Sequence, residues 1–355
     1  MADYPVSNPT RLERLLFDAG LVVQVPLEEI YDIKAGTTVQ RSWQQPAAVR
    51  FAPDVHDPNQ WNDKLHACMR GEFFAHALRS CTRVLDVGCG EGWPSLYLAR
   101  TVPQVVGIDL SPKHVELARN TAGLMGFSNV QFEVGHIEDM HFDTGSFDGV
   151  CFGGNVFTYS FDTERMVREI RRVLTPGGVF ALEQWPVNPH QTTRERIHFF
   201  IDGGPPILHY GAHSGLHNRS YFIYLRPDSP EGRRLIELAT RLVGELPEEH
   251  RRACEEIKQQ IEQGQLEVVA QVKYSGEDRS LAAAELPAIL ERAGFIDFAS
   301  WALPDAVAFA RSLDEDGVLA HLQQQDLIPC LRALVKSART STAWIHQWVT
   351  CRKGH

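Results

Sequence analysis

Several function classes are argued against by what the chain has little of. Cysteine is sparse: Cys68, Cys81, Cys89, Cys151, Cys254, Cys330 and Cys351 are the only seven in 355 residues, an odd number without paired spacing. That pattern speaks against a disulfide framework and for reduced, cytosolic thiols. Long apolar runs are missing. The apolar stretch Leu15 to Val23 is interrupted by Asp18 and followed by Gln24 and Pro26, so it suits neither a bilayer span nor a signal sequence. A basic excess is missing too: 35 Lys and Arg stand against 45 Asp and Glu, a formal net charge of -10, which argues against a nucleic-acid partner. The expectation is a soluble, cytoplasmic chain without repeats or low-complexity segments. With 43% hydrophobic residues it can bury a sizeable core, and its length exceeds one minimal domain.

The most informative segment is Arg83-Val84-Leu85-Asp86-Val87-Gly88-Cys89-Gly90-Glu91-Gly92-Trp93. Val84, Leu85 and Val87 favour a strand, and three alternate glycines remove the Cβ atoms that would block a tight turn or a closely approaching ligand. Leu96, Tyr97 and Ala99 then suit an amphipathic helix, whose first N–H groups would face that ligand. A purely steric turn would also use glycine. A nicotinamide or flavin site wants Gly-x-Gly-x-x-Gly with a small third residue, and here that position is Trp93. Asp86 either braces the loop or touches the ligand. Cys89 reads as a small filler, since no His or Asn partner accompanies it at a recognisable spacing.

The stretch VLDVGCGEG, with its Gly-x-Gly-x-Gly spacing and Asp86 two residues earlier, resembles class I S-adenosylmethionine-dependent methyltransferases. Further matches follow. Val105 to Asp109 is a second apolar strand ending in an acid, and Asp109 is placed to accept hydrogen bonds from both ribose hydroxyls. Ser111-Pro112 opens the next helix as N-cap and first residue. Asn129 to Val134 reads as a third strand, followed by His136, Ile137 and Glu138 in the loop that the resemblance assigns to adenine; the family commonly has Asp where this chain has His136. Ser146 to Phe152 reads as the fourth strand, with Gly153-Gly154-Asn155 after it facing the methionine part. The helical stripe Met166, Val167, Ile170, Val173, Leu174 stops at Thr175-Pro176-Gly177-Gly178, before a fifth strand, Val179 to Glu183. The resemblance covers roughly residues 80 to 185. It implies S-adenosylmethionine as cofactor, held by Asp86, Gly88, Gly90, Gly92, Trp93, Asp109, Leu110, His136, Ile137, Glu138, Gly153 and Asn155.

The implied fold is α/β: a doubly wound, mostly parallel, seven-stranded Rossmann-like sheet with inserted α/β lid elements. Its expected parts are an N-terminal helical cap over residues 1–79, the cofactor core over 80–185, a substrate-binding insertion over 186–275, and the rest of the core over 276–355 with a helical insertion. A helix is expected from Asn62 to Ala77, with Trp43 and Trp61 either in the lid or simply packed at the surface. Phe295 to Leu303 and Trp344 to Cys351 are the expected last strands.

The insertion is dense in aromatic and imidazole groups suited to a pocket wall. Trp185, His209, Tyr210 and Tyr224 are the candidates for substrate contact. His209, His213 and His217 recur every four residues, but Gly211 and Gly215 undermine a helix there and no carboxylate or thiol accompanies them, so no metal site is expected. The implied activity is in-line methyl transfer to a small molecule, such as an aromatic, amine, thiol or polyketide-like acceptor. Should the acceptor have to lose a proton, His136, His190, His209 and His213 are the candidate bases. Two alternatives stand beside it: a protein that binds the cofactor without turnover, and an enzyme using it for another transfer. The sequence leaves room for a homo-oligomer.

Overall fold

The structure is a computed structural model, and it describes residues 4–44, 56, 65–154, 156–159, 162–184, 193–200, 204–242, 247–279, 281, 285–304, 306–340 and 348–354. The chain divides into two compact units, one of residues 1–41 and 187–280, the other of 42–186 and 281–355. This departs from the division read from the sequence. Residues 1–41 group with the insertion instead of forming one N-terminal cap with 42–79.

The second unit is built on a sheet of seven strands: β1 (Arg83–Val87), β2 (Gln104–Asp109), β3 (Val130–Val134), β4 (Phe147–Phe152), β5 (Leu174–Glu183), β6 (Phe295–Trp301) and β7 (Trp348–Lys353). Their spatial order is β6-β7-β5-β4-β1-β2-β3, and a two-residue strand, Arg339–Thr340, adds an eighth member at the β6 edge. β1 to β5 pair in parallel, whereas β7 runs antiparallel between β5 and β6. The doubly wound α/β expectation therefore holds. The order in which the chain adds strands reverses at β1, which has β2 on one side and β4 on the other, and ligands of such sheets bind outside the carboxyl ends at that switch point.

The core explains the run of apolar residues in β1. Both faces of the sheet are covered, with Val84, Val105 and Phe132 packed on one face, and Leu85, Val106 and Val150 on the other, as parallel strands require. Gly149 is the only residue type that fits its place in β4, since a Cβ there would sit 2.9 Å from Cys81 Sγ and 3.0 Å from Val84 Cγ2. The helix Thr163–Val173 buries Met166, Val167, Ile170 and Val173, the stripe expected from spacing. β5 begins earlier than expected, at Leu174, taking the Pro-Gly-Gly segment into the strand with a register shift against β4. The helix His66–Ala77 buries Cys68, Met69, Phe73 and Phe74. The helices Ala306–Glu315 and Gln324–Ser337 form the expected insertion between β6 and β7.

The first unit contains a sheet in the order Val22–Gln24, Val269–Tyr274, His217–Leu225, Ile207–Ser214, Arg194–Phe200, with Asp278–Arg279 also pairing to His217–Leu225. The region of His209 to His217 is thus a strand pair, not a helix. The helices Pro230–Leu242 and Pro247–Glu262 share an apolar core with one sheet face, including Leu208, Tyr210, Leu235 and Ile257. The N-terminal helix Arg11–Asp18 packs into that same core through Leu12 and Leu16. Thr10 caps it, with Glu13 closing a capping box, and Glu13 pairs with Arg219 at 2.6 Å with both side chains fully buried. That pair ties residues 1–41 to the insertion.

Candidate functional site

The glycine turn after β1 has the geometry its composition implied. Gly88, Gly90 and Gly92 adopt φ of +69°, +52° and +102°, a region closed to most side chains. Gly92 is also hemmed in, since a Cβ there would meet Leu96 Cδ1 at 3.0 Å and Phe132 Cζ at 3.2 Å. Gly90 differs: nothing lies within 4 Å of where its Cβ would be. The turn is packed at Gly92 and open at Gly90, which is where a ligand can approach the backbone.

The helix after this turn is a single turn, Ser95–Leu98. Its N–H groups are taken: Ser95 N–H donates to Asp86 Oδ2 at 3.0 Å and Leu96 N–H to Gly92 O at 2.8 Å. The expectation of free helix amides facing a ligand is therefore corrected. Asp86 is fully buried, and the Ser95 hydroxyl donates to it as well. It braces the turn by linking β1 to the residues beyond the glycines. Burial pushes its carboxyl up to about 7, against the opposing effect of the Ser95 bonds.

Asp109, at the end of β2, holds the turn from the other side. Its Oδ2 accepts the Gly90 N–H at 2.9 Å and its Oδ1 accepts the Ser111 N–H at 3.0 Å, with His114 Nδ1 3.4 Å from Oδ1. Each carboxylate oxygen has a second lone pair. Asp109 can thus fix Gly90 and still accept hydroxyl hydrogens. Leu110 follows, half-buried. Trp93 turns to the helix His66–Ala77, its Nε1–H donating to Ala67 O at 3.0 Å. Cys89 is buried, and desolvation pushes its thiol well up, which fits a filler and not a nucleophile.

After β3, His136 Nδ1 accepts the Glu138 N–H at 3.1 Å. An Asp side-chain oxygen can close the same kind of turn, so the imidazole does here what such an oxygen does. Ile137 packs against the core and Glu138, buried, accepts the Asp162 N–H at 3.0 Å. After β4, Gly154 adopts φ +78°. Gly153 lies against Arg70, whose Cδ would be 3.0 Å from a Cβ placed there. Asn155, Trp185 and His190 lie outside the described residues, as does Trp61.

One residue at this rim escaped the sequence reading. Glu183, the last residue of β5, is fully buried and accepts the Gly154 N–H at 3.0 Å and meets His66 Nε2 at 2.9 Å. Arg70 Nε completes the pair. Burial alone would raise its carboxyl, but the charge of Arg70 and the bonds from His66 and Gly154 outweigh this and hold it below the usual range. An apolar strand ending in Glu was the available signal; its partners come from a helix about 110 residues earlier, beyond the reach of local spacing.

In the first unit, His209 and Tyr224 share a sheet face with Phe222, on which His209 stacks at 4.7 Å. Tyr210 points to the opposite face, where its hydroxyl lies 2.8 Å from Thr10 Oγ1. The structure does not bring it together with His209 and Tyr224. Burial drives His209 down to about 2 and also lowers His213, which bonds Asn218 at 2.6 Å. Neither imidazole accepts a proton readily at neutral pH. Among the described residues there is no group of three His, Cys, Asp or Glu poised for a metal, and no helix is long and apolar enough to cross a membrane.

Comparisons with known proteins agree with this geometry. Residues 78–196 match a family model described as a methyltransferase domain. The sterol 24-C-methyltransferase erg6 of Aspergillus fumigatus is 32% identical over 152 residues, 38% of this chain and 40% of that protein. A ubiquinone biosynthesis O-methyltransferase of Xanthomonas oryzae pv. oryzae is 42% identical over 98 residues, 27% of this chain and 40% of that protein. The S-adenosyl-L-methionine-dependent Diels-Alderase iccD of Talaromyces variabilis is 35% identical over 120 residues, 32% of this chain and 40% of that protein. The chain thus spans about two-fifths of the length of these curated relatives.

Proposed function

We propose that this chain, whose residues 78–196 match a family model described as a methyltransferase domain, transfers a methyl group from S-adenosylmethionine to a small-molecule acceptor. The observation that carries the reading is the pairing of Asp109 with Gly90. A carboxylate with spare lone pairs is fixed against a left-handed glycine beside open space, a cradle suited to a ribose and the nucleoside it carries. The bound cofactor would supply an electrophilic methyl group on a positively charged sulfur.

The protein's residues do the rest. The open backbone at Gly90 and the carboxylate of Asp109 hold the nucleoside, with the turn of His136, Ile137 and Glu138 beside the base. Gly153 and Gly154 line the methionine end, where the Arg70 guanidinium, lying along Gly153, complements a carboxylate. Trp93, bonded to Ala67, steadies the helix that carries Arg70. Positioning of this kind contributes much of the acceleration of a displacement reaction. The small-molecule reading rests on the acidic net charge of -10 and on the acceptors named for the sterol and ubiquinone relatives. Seven free cysteines favour a reducing compartment, the cytoplasm.

A second reading, retention of the cofactor without methyl transfer, is supported by the name of one relative, a Diels-Alderase dependent on S-adenosyl-L-methionine. Incubation of the protein and methyl-labelled S-adenosylmethionine with a metabolite extract separates the two. Mass spectrometry finds a labelled acceptor under the first reading and an unlabelled pool under the second.

A further inference from the structure

We propose that the second unit carries a second binding site, in which His76, Arg79, Lys336 and Arg339 receive a phosphate group. The inference stands apart from the methyl-transfer reading, since none of these residues belongs to the glycine turn or the loops beside it.

The cluster forms where two helices end. His76 occupies the last turn of His66–Ala77, and Lys336 the last turn of Gln324–Ser337. Arg79 follows the first of these helices and donates through Nη1 to His76 O at 2.7 Å. Arg339 stands opposite Trp301 in the short strand pair at the β6 edge, its guanidinium 5.9 Å from the centre of the indole ring. The imidazole of His76 meets the same indole edge-on at 6.3 Å. Trp301 thus brings His76 and Arg339 together, and Arg79, Lys336 and Arg339 all act on His76 through their charge.

That charge is not answered within the protein. Among the described residues, Arg79, Lys336 and Arg339 form no ion pair with a carboxylate. Glu72, the negative group that acts on His76, is committed elsewhere: its Oε1 accepts the Tyr97 hydroxyl at 2.6 Å and Arg332 Nη2 at 3.1 Å, and its Oε2 accepts Arg332 Nε at 2.9 Å. Each helix end contributes about half a negative charge, so against the permanent cations Arg79, Lys336 and Arg339 about two positive charges remain. In a chain of formal net charge -10, this excess is a local feature. Burial and the neighbouring cations hold the His76 imidazole below its ordinary value, the state expected of a ring facing uncompensated positive charge.

Trp301 supplies an independent observation. It is 4% exposed, and its Nε1–H is buried with no hydrogen-bond partner among the described residues, a state that buried polar groups rarely keep. An indole only donates, as do guanidinium and ammonium groups. The cluster therefore offers donors and positive charge and lacks an acceptor. A phosphate group is the complement: its oxygens accept, and it carries about -1.5 to -2 charge at pH 7. A carboxylate would leave about one positive charge over. Guanidinium forks also fit phosphate oxygens two at a time, and Arg79, Lys336 and Arg339 are exposed, so an anion in solution can reach them.

The test titrates inorganic phosphate into the full chain by calorimetry at pH 7 and low ionic strength, where such attraction is least screened. Saturable binding is expected in wild type, with affinity at least about ten-fold weaker in the double variant Lys336→Met, Arg339→Met. Both positions are exposed, and removing like charges relieves repulsion, so the double variant is expected to melt within a few degrees of wild type. In NMR titrations of histidine-labelled protein, with the His76 signal identified by its loss in His76→Asn, saturating phosphate is expected to raise the His76 titration midpoint, because an anion beside the ring favours its charged form. Sedimentation with phosphatidylcholine vesicles containing about one-fifth phosphatidic acid then distinguishes the source of the phosphate. Vesicle binding that the double variant loses assigns the group to a lipid headgroup, and phosphate binding without vesicle binding assigns it to a soluble phosphate ester. No saturable phosphate binding by wild type, equal affinity in the double variant, or a His76 midpoint unmoved by phosphate overturns the proposal.

Discussion

Each of the two units is held by a buried carboxylate paired with arginine, and the two pairs differ in one respect that separates structure from function. In the first unit, Glu13 and Arg219 are both fully buried, and Arg219 also donates to Ser7 O and Glu277 at 2.8 Å. Every partner there belongs to the scaffold. In the second unit, Glu183 is as deeply buried, but its partners His66 and Arg70 keep 13% and 20% of their side chains exposed. The Glu13–Arg219 pair is sealed and can only hold elements together, although Glu277 at its edge is 16% exposed. A network whose far side reaches solvent beside a glycine loop can also present its groups to a ligand.

The sharpest way to break the comparison is Arg219→Met, which leaves Glu13 buried without its partner. It is expected to destabilise the first unit by about 3–5 kcal/mol, measured by urea unfolding; a loss below about 1 kcal/mol would show that the pair does not tie the N-terminus to the insertion. Glu183→Gln is expected to cost less, about 2 kcal/mol, because its partners can turn to water. Its sign with pH is fixed. A carboxyl depressed in the folded state contributes stability above its unfolded value and loses it as pH falls through the folded one. The gap between wild type and Glu183→Gln is therefore full at neutral pH and closes below about pH 4.

Asp86 gives the opposite sign at smaller size. Its carboxyl is raised to about 7 by burial, so the folded state binds the extra proton and wild-type stability falls as pH rises from about 4 to about 7. Asp86→Asn keeps an acceptor for Ser95 and is expected to flatten that fall, melting above wild type at pH 8 by the equivalent of about 1 kcal/mol. A fall of equal slope in both proteins would place the effect elsewhere. Cys89→Ala is expected to change stability by less than about 1.5 kcal/mol and to leave cofactor affinity intact, since the thiol is neither charged nor aimed at a ligand.

How much was legible in the sequence follows the same division. The β1 turn, Asp109 and the helix opened by Ser111-Pro112 were readable because their signals are local: positive-φ glycines, an acid after an apolar strand, an N-cap before proline. The brace role of Asp86 was left open by sequence, and the Ser95 bonds decide it. Glu183 with His66 was not readable, since a hydrogen bond between a strand end and a distant helix leaves no spacing. Nor was the grouping of residues 1–41 with the insertion, although the capping box at Thr10 and Glu13 marks a helix start there. Its partner Arg219 lies 206 residues away. The four-residue period of His209, His213 and His217 turned out to run through two paired strands, where the glycines at 211 and 215 fit a strand and a turn.

The central claim is that Asp109 and the glycine turn hold the ribose of S-adenosylmethionine. Calorimetric titration of S-adenosylhomocysteine into wild type and Asp109→Ala tests it most directly. The account predicts saturable binding to wild type and an affinity about 10- to 100-fold weaker in the variant. No binding to the wild type, or equal affinity in both proteins, would contradict it.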